Sequence, residues 1–183
     1  MHKRLRPIRG LLLAFAIGIT PTLPVTAQTG QDIAEARVAI EQFEAAFQAG
    51  EYSALLTAMP PRILNTIATQ SGIPADTLVA QLETQMTAMM SQMTFESFGM
   101  DLQGATWGET STGLTYALVP TQTVMTQPGS GRIRSNTTTL LLNEDEAWYL
   151  IRVDSTQQTS ILRQAYPEFG SVDFPFGSME VLD

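Results

Sequence analysis

The side chains that could do chemistry are few in this chain of 183 residues. It has no cysteine, one histidine and one lysine, and those two are His2 and Lys3. Beyond residue 27 the basic groups are Arg37, Arg62, Arg132, Arg134, Arg152 and Arg163 alone. A histidine-based triad, a lysine Schiff base and a cysteine nucleophile therefore have no residues to build them. Disulfides, cysteine- or histidine-ligated metals and a phosphate-loop lysine are missing too. What remains is catalysis by carboxylate or tyrosine, an oxygen-ligated metal, and recognition of planar anions by arginine.

Four groupings merit a chemical reading. Arg134, Asn136 and Tyr149 fall on one strand face, where a guanidinium could hold a ligand carboxylate if that face lines a cavity. Otherwise Arg134 is a rim charge beside the Gly129–Gly131 turn. Arg152 and Asp154, two apart on the other face with Ser135 and Thr137 expected opposite, read as a ligand-orienting patch or, more simply, as a solvated salt bridge. Met86, Met89, Met90, Met93 and Met100 could form an adaptable apolar pocket or supply thioethers to copper(I). Their helical spacing reads first as core filling; Met86 and Met90, with Arg134, Asn136, Tyr149 and Tyr116, form the candidate ligand-binding set. Glu144-Asp145-Glu146 are adjacent and so do not converge on one calcium ion as a binding loop does, which leaves a solvated turn. Trp107 and Trp148 read as core or interface anchors. The candidate interface set is Trp148, Leu150, Arg152 and Asp154. No cofactor, metal ligand set or catalytic residue is assigned.

The elements that must position these residues follow from periodicity. Residues 1–27 have a basic start (Lys3, Arg4, Arg6, Arg9), an apolar run from Gly10 to Ile19, helix-breaking Pro21 and Pro24, and small residues up to Ala27. This is the pattern of a secretory signal, with cleavage expected after Ala27, and its apolar run is too short to span a bilayer. The whole chain carries a net charge of −8, but after residue 27 six arginines face eighteen acids and the charge is −12. Nucleic acid and anionic lipid surfaces are therefore disfavoured as partners.

Residues 28–183 read as a single domain, divided into helices over 32–93, antiparallel sheet over 94–154 and a C-terminal helix and tail over 155–183. Ile33, Ala36, Ile40, Phe43 and Phe47 make one apolar stripe, predicting a helix over about 32–49. A short helical piece follows at 51–59, and helices then start at Pro61 and Pro74, since proline suits a first helical turn. After residue 94 the period changes to two, predicting strands at about 95–106, 113–125, 132–142 and 147–154. Helices followed by antiparallel strands give an α+β class, with three N-terminal helices on a curved four-stranded sheet.

A four-residue loop at 143–146 would set Leu142 opposite Ala147 and Leu140 opposite Tyr149. One face then carries Arg134, Asn136, Thr138, Leu140, Leu142, Tyr149, Ile151 and Val153, expected beneath the long helices. The other carries Ile133, Ser135, Leu141, Trp148 and Leu150, expected to need the C-terminal tail or a second subunit as cover. The tail, with Phe169, Phe174, Phe176, Val181 and Leu182, is too apolar to remain free.

The Gly50-Glu51-Tyr52 link between helices, and a sheet ending in Glu146-Ala147-Trp148-Tyr149-Leu150-Ile151, resemble the nuclear transport factor two-like cone shared by ketosteroid isomerases, in particular its secreted bacterial members. The likeness spans about 32–154. It implies a cone of helices on a curled sheet; enzymes of that superfamily often place His, Asp or Tyr inside it.

The reading that follows is an exported, non-enzymatic binding or accessory protein of the bacterial envelope, periplasmic or secreted. It would hold a small apolar ligand in the cone or an envelope protein partner on the sheet face. The alternatives are a histidine-free isomerase or dehydratase using a cone carboxylate with Tyr116 or Tyr149, and a structural homodimer. No membrane span is expected once the signal is removed.

Overall fold

The computed structural model describes residues 30–182; the expected signal, its cleavage site and Gln28–Thr29 lie outside the described residues. Four α-helices precede the sheet: α1 (Gly30–Ala49), α2 (Tyr52–Thr57), α3 (Pro61–Ser71) and α4 (Ala75–Met90). The expected count of three is corrected, because the short piece after Gly50 is a helix of its own. Pro60 and Pro61 separate it from α3, whose first position Pro61 occupies. Gly72, left-handed at φ 68°, closes α3, and the Ile73 N–H reaches back to the Ala68 carbonyl. No helix among the described residues is long and apolar enough to cross a membrane.

The sheet is built on one long ribbon, β3 (Thr115–Gln127) paired antiparallel with β4 (Gly131–Glu144). Each outer side of that ribbon carries two short strands in line. β1 (Thr94–Met100) and β2 (Thr106–Glu109) share the far side of β3; β5 (Ala147–Arg152) and β6 (Ser178–Leu182) share the far side of β4. The four expected strands are therefore six, in a curled half-barrel.

The first expected strand, 95–106, is broken because Asp101 forms a turn: its carboxylate accepts the Gln103 and Gly104 N–H groups, each at 3.1 Å. On the other side the chain leaves the sheet after β5 and forms helix α5 (Thr156–Ala165), capped by the Ser155 side chain, then a 3-10 helix (Pro167–Ser171). It returns at Gly177, whose N–H donates to the Asp154 carbonyl at 3.0 Å. A Cβ at Gly177 would sit 2.7 Å from the Asp154 carboxylate, so this re-entry needs a glycine.

The β4–β5 turn differs from the expected loop. Only Asp145 and Glu146 lie between the paired residues, both left-handed at φ 53° and 62°. This is the two-residue hairpin geometry that matches strand twist, made here without its usual Asn-Gly. Leu142 consequently faces Tyr149 rather than Ala147, and Leu140 faces Ile151. The slip is two residues, so each side chain keeps its face.

Both faces carry a core, and the covers are exchanged relative to expectation. Leu140, Leu142, Ile151 and Val153 pack against Ile63 of α3 and against Leu162, Ala165, Tyr166 and Phe169 of the C-terminal excursion. The long helix α1 instead covers the opposite face, with Ala36 and Ile40 on Ala117, Val119, Leu141 and Leu150. The tail therefore lies on the first face, not the second. Helix α4 packs on α2 and α3, and Leu78 is its buried residue.

Candidate functional site

The residues proposed to bind a ligand do not converge. Tyr116 and Tyr149 flank Leu142 on one rung of the sheet. Arg134 lies eight residues along β4, roughly 25 Å away at strand rise. Its Nη1 is 3.0 Å from the Glu180 carboxylate of β6, and its Nε is buried without a hydrogen-bond partner. Asn136 is exposed and accepts a hydrogen bond from Gln122 at 3.0 Å. Met86 and Met90 are half-buried on α4, which packs on α2 and α3. The Tyr116 ring meets Phe169 edge-on, centroids 5.2 Å apart, and burial pushes its hydroxyl pKa up.

The candidate interface residues are also engaged internally. Leu150 is buried beneath α1, and Trp148 packs edge-on against Trp107 with centroids 5.9 Å apart, its indole N–H buried without a partner. Arg152, the last residue of β5, is bound to Asp154 two residues further on at 2.5 and 2.8 Å. It faces Thr139, where Thr137 was expected.

The structure assembles a polar cluster that the sequence did not suggest. The Tyr166 hydroxyl donates to Glu144 at 2.6 Å, and Arg62 Nη1 donates to the other oxygen of the same carboxylate at 3.0 Å. Arg62 Nη2 donates to the Ala165 carbonyl at 2.7 Å, its guanidinium lies 4.0 Å above the Tyr166 ring, and Glu168 is 3.7 Å away. Burial raises the Tyr166 pKa, and the hydrogen bond and charge of Glu144 raise it further. Arg62 and Glu144 are 82 residues apart, so no local pattern could have joined them. Both Glu144 oxygens are engaged and the Tyr166 ring is fully buried. The cluster therefore acts as a latch between α3, the end of β4 and the C-terminal excursion, with the Tyr166 hydroxyl and both Glu144 oxygens engaged and only Arg62 reaching solvent.

Two open grooves mark the surface. One, of about 520 Å³, lies between the end of α1 and β1 and is lined by Phe47, Tyr52, Met93, Phe95 and Phe98 together with Glu96. Phe47 stacks on Phe98 at 4.3 Å and meets Phe95 edge-on at 4.9 Å. The other, of about 560 Å³, is lined by Phe98, Met100 and Pro120 together with Asp101, Thr121, Gln122, Asn136 and Thr137.

The third surface feature is the β5/β6 edge. The β5 half is closed, because the Leu150 N–H donates to the Ala58 carbonyl at 2.8 Å. Among the described residues β6 pairs with β4 alone, leaving its outer side open. Exposed large apolar residues gather here: Phe176 is 78% exposed, Met179 72% and Val181 68%. No family model, curated protein or solved structure shows a significant match to this chain.

Proposed function

We propose that this is an exported accessory protein of the cell envelope that works by binding another protein chain through its surface. The observation that carries the reading is a contrast. The sheet face that would line a cone is filled by fully buried Tyr166, Phe169 and Leu162, while Phe176, Met179 and Val181 stand in solvent beside an open strand edge. A ligand site needs an apolar cavity with convergent polar groups, and a partner surface needs an exposed apolar patch. The second description fits these residues better. The basic-then-apolar pattern of residues 1–27 supports export with cleavage after Ala27, into the periplasm or the medium. A curled sheet with helices is compatible with membership of the nuclear transport factor two-like superfamily, which we keep as part of the proposal. The enzyme alternative has little support, since the tyrosine–carboxylate contact at hydrogen-bond distance, Tyr166–Glu144, is locked in the latch.

One observation favours a second reading. The open groove beside α1 and β1 has the volume for a small molecule and gathers Phe47, Phe95 and Phe98 in ring contact. Native mass spectrometry of the protein purified from its own cell envelope separates the two. The expected result is a chain beginning at Gln28, assembled with another chain and free of retained small molecules. A single chain carrying a small molecule would overturn the protein-binding reading.

A further inference from the structure

We infer that the open edge of β6 pairs with β6 of a second copy, antiparallel about a two-fold axis, so that one sheet runs through a dimer. This rests on the protein-binding reading and names the partner.

An unpaired strand presents a row of N–H and C=O groups that template another strand, and proteins normally blunt such edges. The other outer strands do so, β2 by being only four residues long. β1 carries a bulge between Phe95 and Ser97, and β5 is closed by the Ala58 carbonyl. β6, Ser178-Met179-Glu180-Val181-Leu182, has no proline, lysine or bulge. Its one charge, Glu180, is neutralised by Arg134, and neighbouring Arg132 is neutralised by Glu96 at 2.7 Å. The chain as a whole is strongly acidic, yet the charges of β6 and of the β4 residues it pairs with are balanced by these two ion pairs. A second copy can approach here without burying an unpaired charge, whereas general self-association would be repelled.

Register follows from charge and shape. Centring the axis on Glu180 would set two carboxylates face to face, which is unfavourable. Centring it on Met179 sets each Glu180 across from Ser178 of the second copy and each Phe176 across from Leu182. That register places Phe176, Met179 and Val181 all at the seam. Each copy brings Met179 and Val181 on one face of the seam and Phe176 on the other, all more than two-thirds exposed. The contact is isologous and closes at two copies.

The absence of cysteine makes the test clean. In Met179→Cys the two thiols would face each other across the axis, within disulfide reach of directly opposed strand positions. Mild oxidation should convert most of the protein to a covalent dimer. Val181→Cys, displaced along the strand from its own copy, should cross-link several-fold less. Light scattering at about 100 μM should report a dimer for the unaltered protein. It should report a monomer for Met179→Lys/Val181→Lys with an unchanged circular dichroism spectrum, since both side chains are exposed. A monomeric unaltered protein, or Met179→Cys that does not cross-link, overturns the inference. If the monomer instead holds a foreign chain that the double lysine variant releases, the protein-binding reading stands and the second copy is wrong. A monomer that retains only a small molecule removes both.

Discussion

The two halves of the β3–β4 ribbon end in opposite states, one apolar and covered, the other largely polar and open. Toward Leu140–Leu142 the sheet is covered on both faces and at the β5 edge: α1 on one face, Tyr166 and Phe169 on the other, and the Ala58 carbonyl beside β5. Toward Arg132–Asn136 the side chains of one face, among them Arg132 and Asn136, reach solvent and the β6 edge is open. The difference comes from a single excursion. Residues between Val153 and Gly177 leave the edge, cover one half of the face, and rejoin the same edge further along β4. The closed half supplies stability, and the open half is the part left free to associate.

Truncation should separate the halves most sharply. Phe169→Ala removes a fully buried ring in contact with Tyr116, Tyr166 and Phe174 and should cost about 3–5 kcal/mol in urea unfolding. Phe176→Ala, on the open half, should stay within about 0.5 kcal/mol for the monomer. Equal losses would break the comparison.

Alkali should attack the closed half first. Burial raises the pKa of both Tyr116 and Tyr166 above the ordinary value of 10.0, so the folded state holds these protons more tightly than the unfolded chain. Their contribution is complete below pH 10 and is lost as pH rises through the folded values. Denaturation midpoints followed upward from neutral pH should fall beyond that point, together with the appearance of tyrosinate absorbance. Full tyrosinate formation in a still-folded protein would contradict this.

Tyr166→Phe keeps the ring and leaves Glu144 with Arg62 alone; a loss of about 1–3 kcal/mol is expected from the orphaned carboxylate oxygen. The smallest effect should be a gain. Glu146→Gly relieves a left-handed residue in the β4–β5 turn and should raise stability by up to about 1 kcal/mol. A loss there would argue against the two-residue turn and return the register to the longer loop.

Much of the fold was legible because its signals are periodic and local. The Ile33–Phe47 stripe located α1 to within two residues, and the alternation along 132–142 and 147–153 sorted side chains to their faces even though the register was off by two. The register itself depended on Asp145 and Glu146 adopting left-handed backbone, which their residue types do not announce. The candidate site was less legible. Arg134 and Tyr149 share a face but stand at opposite ends of a long strand, and a face assignment contains no distance along the strand. The Arg62–Glu144–Tyr166 latch joins three distant segments and had no local signature.

By itself the sequence determined which chemistry is missing and the order of helices before antiparallel strands, because composition and period are properties of the chain alone. It also determined that the C-terminal tail was too apolar to stay free. Only the tertiary structure decided that α1 and the C-terminal excursion take opposite faces, that Tyr166 and Phe169 fill the space a ligand would need, and that β6 continues the line of β5 with its outer edge open. Those outcomes depend on which distant segments bury each other's apolar surface and satisfy each other's backbone groups, and neither quantity is carried by any one stretch of residues.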